Sequence, residues 1–270
     1  MRLIILALIF FSCNQTPNPD KLEQNEEAEI HMAFQNSRPV MREKFPVQDT
    51  SRMKVSDIQA LNDTITSWYE NVGAEEAGLD YNAFRYGIIG FLSLKQDGKL
   101  SERNLVSIID YTQSSCEKRF YTIDLDDEKI IFNTYVSHGQ GTGGNFAEKF
   151  SNIPGSHQSS IGFYVTGDTY VGSKGYSLRL HGEERGINDK AFERAIVMHQ
   201  ADYVSENWIK KYGRIGRSYG CPALPVGLSK KVIETIKDKT AIFAYFDDKE
   251  YLKASRHLNV EDLLERLNQS

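Results

Sequence analysis

Glycine is distributed unevenly along this chain of 270 residues, and this distribution restricts the fold more than any other feature of the sequence. Fifteen of the twenty glycines lie between Gly139 and Gly227, where they separate short apolar runs. A glycine destabilises a helix interior by roughly 0.5–1 kcal/mol relative to alanine, and it readily adopts the backbone conformations of turns. This part of the chain is therefore predicted to be a turn-rich β structure.

Short runs enriched in β-branched and aromatic residues supply the predicted strands. Two of these runs flank Asp126, Asp127 and Glu128 and predict a hairpin. The runs are residues 119–125, 129–136, 160–167, 176–182, 194–199 and 240–246. Helical spacing of apolar residues predicts helices at residues 58–68, 82–92, 101–109, 229–239 and 260–267. The predicted fold class is α+β, a mainly β domain preceded by a small helical lead-in.

The N-terminus predicts export. Arg2 precedes an apolar run from Leu3 to Phe11, and Ser12 and Cys13 follow. A basic start, a short apolar segment and a small residue are typical of a secretory signal. The placement of Cys13 resembles a bacterial lipobox, in which this cysteine receives lipid; an ordinary signal peptide cleaved nearby is the alternative. We expect an exported protein of the bacterial periplasm or cell envelope, anchored to the membrane as a lipoprotein.

Composition narrows the class of protein further. Residues 14–54 are polar and carry few periodic apolar residues, so we predict a flexible tether there. Behind it we predict a helical lead-in at 55–112, the main domain at 113–250 and a helical tail at 251–270. The formal net charge of −5 and a pI near 5.8 argue against nucleic-acid binding. Three cysteines are too few for a disulfide framework.

Cys221 lies in the stretch GRSYGCPALP, which is an unusual setting for a cysteine. Inert cysteines are normally buried among apolar residues, whereas Gly220 and Pro222 flank this one. A nucleophilic cysteine must ionise from a pKa near ~8.5, so it needs a histidine that takes its proton. It also needs N–H donors that stabilise an oxyanion. We predict that the backbone N–H groups of Gly220 and Cys221 supply them.

Two histidines are candidates for the general base. His199 ends the apolar run 195–198, so its ring is expected at the end of a strand. His181, in LRLHGEERG, is its rival, although it lies forty positions before the cysteine. His138 begins the segment HGQGTGG, which lacks the Lys-Ser/Thr ending of a phosphate-binding loop and is interpreted as a connection between strands.

Four stretches together resemble the murein L,D-transpeptidases. They are VSHGQGTG at 136–143, SSIGFY at 159–164, LHGEERGIND at 180–189, and RAIVMHQADYVSENWIKKYGRIGRSYGCPALP at 194–225. The similarity is closest to a divergent branch of this family, with a GRSxGCPA motif, found in bacterial exported proteins and lipoproteins. It covers about residues 82–246.

This resemblance implies a β-sandwich or barrel catalytic domain, with Cys221 as nucleophile and His199 as general base. No metal or cofactor is implied, and the expected partners are peptidoglycan stem peptides. The residues implied to line the oxyanion and substrate-binding site are Gly220, Tyr219, Ser218, Arg217, His181 and Gln200. In this family the carbonyl of the residue after the histidine orients the imidazole, which here is the carbonyl of Gln200.

The chain departs from the common family pattern beside the nucleophile. Tyr219 replaces a histidine, and Pro222 and Ala223 replace the usual Ile-Arg. The substrate-orienting arginine is therefore missing from its usual position, and Arg217 is the candidate substitute. The longer gap between the histidine and the cysteine predicts an enlarged loop.

The expected function is that of an exported cysteine peptidoglycan L,D-transpeptidase. It would form a thioester acyl-enzyme with the tetrapeptide stem, release D-Ala and transfer the acyl group to an amine. The alternatives are an L,D-carboxypeptidase that hydrolyses the same bond, and an inactive lipoprotein that binds the cell wall. A zinc peptidase is disfavoured, because the chain has no H-E-x-x-H motif. Cys116 is interpreted as structural, and a Cys116–Cys221 disulfide would abolish the nucleophile.

Overall fold

The computed structural model describes residues 55–269, and the predicted signal, the tether and Cys13 lie outside this range. The elements in chain order are α1 (Val55–Asn71), α2 (Tyr81–Gln96), β1 (Leu105–Asp110), β2 (Phe120–Asp124), β3 (Lys129–Thr134), β4 (Gly162–Gly172), β5 (Gly175–Gly182), β6 (Val197–Ala201), α3 (Glu206–Tyr212), β7 (Ala223–Pro225), α4 (Val226–Ile236), β8 (Ala241–Tyr245), α5 (Lys249–Ala254), a 3₁₀ turn (Arg256–Leu258) and α6 (Val260–Leu267).

The strands form one mixed sheet in the order β3-β2-β1-β8-β4-β5-β6-β7. Strand pairs β1–β8 and β6–β7 are parallel, and the other neighbours are antiparallel. The sheet curves into a nearly closed barrel, which confirms the predicted fold class. The hairpin of β2 and β3 is also confirmed.

Helix α2 packs on β1 and β8, helices α1 and α6 pack against α2, and together the three helices help to bury the first hydrophobic cluster. Helix α2 begins at Asp80, whose side chain accepts from the backbone N–H groups of Asn82 and Ala83. Its closest approach to the sheet is at Gly90, where an added Cβ would lie 1.9 Å from Phe163 Cζ. The lead-in helices are therefore part of the folded domain.

A second hydrophobic cluster fills the barrel, and α4 covers it. It includes Leu178 and Leu180 of β5 and Met198 of β6. Side chains alternate along a strand. Arg179 of β5 and Val197 and His199 of β6 therefore point to the outer face of the sheet. Cys221 lies at the edge of this cluster and is 5% exposed.

Glu184, which follows β5, joins the C-terminal tail to the sheet. Its buried carboxylate accepts from the backbone N–H of Phe163 (2.7 Å), from the hydroxyl of Tyr251 (2.9 Å) and from the hydroxyl of Ser255. Burial raises the pKa of Glu184, although these donors oppose the shift. One carboxylate thus connects three separate segments of the chain, and we call this set of contacts the Glu184 network.

The predicted helix at 101–109 is wrong, because residues Leu105–Asp110 form strand β1. All six residues of β1 are buried, since the strand lies between β2 and β8. A strand buried on both faces shows no alternation of apolar and polar residues, so its sequence resembles that of a buried helix. Helices α2 and α4 and the capping of α6 by the Asn259 side chain agree with the predictions. Within residues 55–269 the helices are too short or too polar to cross a bilayer.

Candidate active site

Strand register relates Cys221 to His199. In the parallel pair β6–β7, His199 lies opposite Ala223, and Cys221 comes two residues before Ala223, just ahead of β7. Residues two apart in a strand point to the same face of a sheet, so we infer that the side chains of Cys221 and His199 share a face. The Cys221 thiol also contacts the start of β6, where Sγ lies 3.6 Å from the carbonyl oxygen of Ala195.

The His199 ring is oriented by the main chain. Its Nδ1 lies 2.8 Å from the carbonyl oxygen of Gln200, and the residue is 2% exposed. Because a carbonyl oxygen can only accept, Nδ1 carries the hydrogen in the neutral ring and Nε2 carries the lone pair. This is the tautomer in which Nε2 can accept a proton from a thiol. The carbonyl of Gln200 thus makes the contact that the sequence resemblance implies.

The turn that precedes Cys221 is fixed by Ser218. Its Oγ accepts from the Gly220 backbone N–H (3.0 Å) and donates to the Cys221 carbonyl (2.6 Å). The predicted pair of oxyanion donors is therefore wrong for this conformation, since the N–H of Gly220 is bonded to Ser218. Gly220 has φ of +125°, and an added Cβ would lie 2.8 Å from the carbonyl oxygen of Gln158. The position thus requires glycine.

Ser159 and the glycine-rich segment 137–144 form hydrogen bonds with this turn. Ser159 Oγ donates to the Gly220 carbonyl (3.0 Å) and accepts from the Gly139 N–H (3.0 Å). Ser137 Oγ accepts from the Ala223 N–H (3.1 Å). Two buried hydroxyl groups thus connect the segment to residues on either side of the nucleophile. We call the turn 217–223 and the residues that hydrogen-bond to it the catalytic-turn network.

Arg119 and His138 extend the catalytic-turn network into the barrel, and the sequence did not indicate their pairing. The wholly buried Arg119 guanidinium donates to His138 Nδ1 (2.7 Å) and to the carbonyls of Val136 (3.1 Å) and Gln113 (2.9 Å). His138 Nε2 lies 3.1 Å from the Gly144 carbonyl. Burial, followed by the charge of Arg119, lowers the pKa of His138 to about 3. A neutral imidazole therefore holds the end of the glycine-rich segment.

The side chains of Arg217 and Tyr219 both contact residues outside the turn. Arg217 donates to the carbonyls of Gly143 (2.7 Å) and Gln140 (3.4 Å). Tyr219 stacks on the ring of His157, with centroids 4.1 Å apart. In this conformation the guanidinium of Arg217 is thus engaged with main-chain carbonyls of the glycine-rich segment.

His181 lies on β5, two strands from the nucleophile. Its ring stacks on Phe192 at 5.1 Å and lines a groove shared with Asp168 and Glu183. Burial lowers the pKa of His181, and the charge of Asp168 opposes this shift. The strand order places His199, on β6, between His181 and the strand that follows Cys221, so the geometry favours His199 as the base.

Two tyrosines that the sequence analysis did not single out interact electrostatically with Cys221. Burial raises the pKa of Tyr170, and the nearby Cys221 contributes to the increase. Burial also raises the pKa of Tyr111, with a smaller contribution from Cys221. Tyr111 belongs to the second hydrophobic cluster, and Tyr170, on β4 opposite Ser177, packs against it. Their positions depend on strand pairing, which the local sequence does not reveal.

Cys116 and Cys221 are both free thiols, so the disulfide alternative is wrong. The Cys116 sulfur lies 3.3 Å from the Gly213 carbonyl and 3.6 Å from Asn145 Oδ1. Within residues 55–269, no three His, Cys, Asp or Glu side chains form a group that could hold a metal ion.

A barrel that carries a histidine on one strand and a cysteine just before the neighbouring strand has two of the groups that nucleophilic catalysis needs. A family model of the L,D-transpeptidase catalytic domain matches residues 75–245. The chain therefore belongs to the L,D-transpeptidase family, which confirms the resemblance noted in its sequence.

Solved L,D-transpeptidase structures are similar to this chain at low identity. The protein from Stackebrandtia nassauensis is 16% identical, and the match covers 83% of this chain and 91% of that one, with a TM-score of 0.32. The protein from Mycobacterium smegmatis is 10% identical over 53% of this chain and 59% of that one, with a TM-score of 0.33. A protein from Mycobacterium tuberculosis H37Rv is 12% identical over 53% of this chain and 58% of that one, with a TM-score of 0.31. The chain thus spans about three fifths of these mycobacterial structures. No curated protein sequence matches it.

Proposed function

We propose that this protein is an exported cysteine L,D-transpeptidase that acts on the tetrapeptide stems of peptidoglycan. The family supports the type of reaction and the substrate class. The observation that supports the proposal is the β6–β7 register, in which Cys221 comes two residues before the partner of His199. The contact of His199 Nδ1 with the Gln200 carbonyl leaves Nε2 to take a proton. Cys221 as nucleophile, His199 as base and the Gln200 carbonyl as the group that orients the base would make up the catalytic set.

The first half of the reaction forms a thioester. His199 Nε2 takes the thiol proton of Cys221, and the thiolate attacks the carbonyl of the third, diamino-acid residue of the stem. The carbon–sulfur bond forms, and the oxyanion lies against the Cys221 backbone N–H. His199 then gives its proton to the amine of the terminal D-Ala as the carbon–nitrogen bond breaks. D-Ala leaves, and the stem remains attached to sulfur.

The second half releases the enzyme. An amine of a neighbouring stem, deprotonated by His199, attacks the thioester carbonyl, and the thiolate leaves with restoration of its proton. The product is a peptide cross-link between two stems. If water attacks instead, the same site is an L,D-carboxypeptidase. The two outcomes share every step up to the thioester, so one assay measures both.

The test uses the full-length protein with disaccharide-tetrapeptide muropeptides and mass spectrometry. We expect loss of D-Ala or formation of dimers, with activity reduced at least about 1000-fold in Cys221→Ala, because the nucleophile is removed. Cys116→Ala is the matched control and should behave as wild type. Identical product profiles for wild type and Cys221→Ala would overturn the enzymatic proposal and favour the inactive wall-binding lipoprotein.

The cellular location is a separate part of the proposal. The motif that ends at Cys13 supports a lipid anchor, which would hold the catalytic domain at a membrane in the cell envelope. Cells fed a labelled fatty acid should incorporate label into the wild type and not into Cys13→Ala. Cys116→Ala again serves as the control. Equal labelling of wild type and Cys13→Ala would contradict lipidation.

A further inference from the structure

The outer face of the sheet carries an arginine next to the proposed catalytic pair. In the antiparallel pair β5–β6, Arg179 lies opposite Val197, two residues before His199. Side chains directly opposite each other share a face, so Arg179 shares the outer face with His199. Continuing the β6–β7 register places Cys221 opposite Val197 on the other side. The register thus puts three residues in one row across the sheet: Arg179 on β5, Val197 on β6 and Cys221 just before β7.

The dimensions of this row fit a small substrate group. Neighbouring strands are about 4.8 Å apart, so the backbones of Arg179 and Cys221 are separated by about 10 Å. The Arg179 Cζ lies 5.0 Å from the ring centroid of Tyr170, which is on the next strand of the same face. The guanidinium is thus held over the Tyr170 ring, beside the strand that carries His199.

The chemistry of the site also calls for a cation at this place. The common family motif has an arginine after the cysteine, and Ala223 stands there in this chain. Arg217, the substitute suggested by the sequence, donates to the carbonyls of Gly143 and Gln140. A guanidinium binds carboxylates through two parallel hydrogen bonds, which fixes the orientation of the bound group.

We propose that Arg179 binds the C-terminal carboxylate of the leaving residue of the substrate. In the proposed reaction this carboxylate is attached through one carbon to the nitrogen that leaves, so it lies a few ångströms from the attacked carbonyl. Binding it to Arg179 aligns the scissile bond with Cys221 and selects stems that end in a free acid. The inference rests on the proposed function for the identity of the substrate, and on strand register for the position of the arginine.

The test measures binding without turnover. Full-length Cys221→Ala is titrated by calorimetry with a stem tetrapeptide that ends in D-Ala and with the same peptide ending in D-Ala amide. A hydrogen bond to a charged group is worth about 1.5–3 kcal/mol, so the acid should bind about 10- to 150-fold more tightly than the amide. In Cys221→Ala/Arg179→Gln this preference should fall to about threefold or less. Arg179→Lys should keep part of it, because the charge remains.

Arg185→Gln is the matched control, since Arg185 is exposed and follows the same strand. It should retain the full preference for the acid. An Arg179→Gln variant that still prefers the acid, or a Cys221→Ala parent with no preference, would overturn the assignment. Because binding is measured without catalysis, these results differ from a failure of the proposed function, in which wild type and Cys221→Ala give the same muropeptide products.

Discussion

The molecule contains two buried polar networks that are built in different ways. The catalytic-turn network holds one tight turn through serine hydroxyls, main-chain carbonyls and a neutral histidine, with Arg119 behind them. The Glu184 network uses a single carboxylate to join β4, α5 and the residue after α5. The first fixes the position of one backbone segment, and the second fixes the position of separate segments relative to each other.

This difference separates activity from stability. A small displacement of the catalytic turn changes the distance between sulfur and imidazole, and a misplacement of 1 Å can reduce a rate about 100-fold. Release of the C-terminal tail exposes part of the first hydrophobic cluster but does not move β6 relative to β7. Substitutions in the catalytic-turn network should therefore reduce the rate, and substitutions in the Glu184 network should reduce the free energy of unfolding.

The largest effect is expected for Gly220→Ala. The residue has φ of +125°, and an added Cβ would lie 2.8 Å from both the Gln158 carbonyl oxygen and Ile196 Cδ1. The turn must move, so kcat/KM in the muropeptide assay should fall about 100-fold or more. Gly227→Ala is the control, since a Cβ there meets open space. Wild-type activity in Gly220→Ala would contradict the importance of the turn.

The next effect is expected for Arg119→Lys. A lysine cannot replace the three directions in which the guanidinium donates, so donors and acceptors in the barrel are left unpaired. We expect a loss of about 2–3 kcal/mol in the free energy of unfolding, and about a tenfold lower kcat/KM as His138 and the glycine-rich segment shift. Chemical denaturation and the muropeptide assay measure the two effects. Lys118→Arg, at the exposed neighbouring residue, is the control. An Arg119→Lys variant that loses stability but keeps its kcat/KM would show that Arg119 does not belong to the catalytic-turn network.

A smaller effect is expected for Glu184→Gln. The amide nitrogen would face one of the donors that now contact the carboxylate, at a cost of about 1–3 kcal/mol. The melting temperature should fall, while kcat/KM measured well below it should stay at the wild-type value. The exposed Glu193 provides a control, Glu193→Gln, with no change in either quantity. Reduced activity of the folded Glu184→Gln variant would show that the two networks are coupled.

The effect expected to be smallest at neutral pH is a pH dependence of stability that comes from two buried histidines. Burial, and then nearby arginines, lowers the pKa of His138 and of His257 to about 3 in the folded protein. The unfolded chain takes up these protons near pH 6.5, so the stabilisation is complete above that value and is lost as the pH falls toward 3. Each histidine contributes up to about 1.4 kcal/mol per pH unit. Denaturation curves at pH 7, 6, 5 and 4 should show this slope.

His257→Gln provides the check on that slope. Removal of one buried histidine should lower the dependence of unfolding free energy on pH by about one proton, without a change in kcat/KM at pH 7. The groups that face His257 are Ser93 at its Nδ1, and the charges of Arg256, Arg266 and Lys99. An unchanged slope in the variant would mean that other groups carry the acid sensitivity.

Local sequence was sufficient to predict those elements whose pattern is complete within one segment. The strand-like runs of β2, β3 and β5 and the apolar spacing of α2 are examples. Strand β1 was predicted as a helix because LVSIID is apolar on both faces, and only its position between β2 and β8 explains that composition. Burial on both faces is a property of the whole sheet, so a single segment cannot reveal it.

The candidate site shows the same limit. Cys221 stood out because Gly220 and Pro222 flank it, and His199 stood out because it ends an apolar run; the motifs around both residues resemble a family. Arg119, Tyr170 and Arg179 did not stand out, since each lies in an ordinary strand-forming run and reaches the site only through pairing with other strands. The bond from the Gly220 N–H to Ser218 was also missed, because it depends on the conformation of the turn.

The connection from β6 to β7 has a practical consequence. Residues 202–222 form this long crossover and include α3, which buries none of its residues. The proposed base and nucleophile are related by the pairing of β6 with β7, so we expect that continuity of the polypeptide between them is not required. The protein should therefore tolerate cleavage inside α3. Two fragments divided there should reassemble into an active complex. Expression of the second fragment would then control the proposed cross-linking activity.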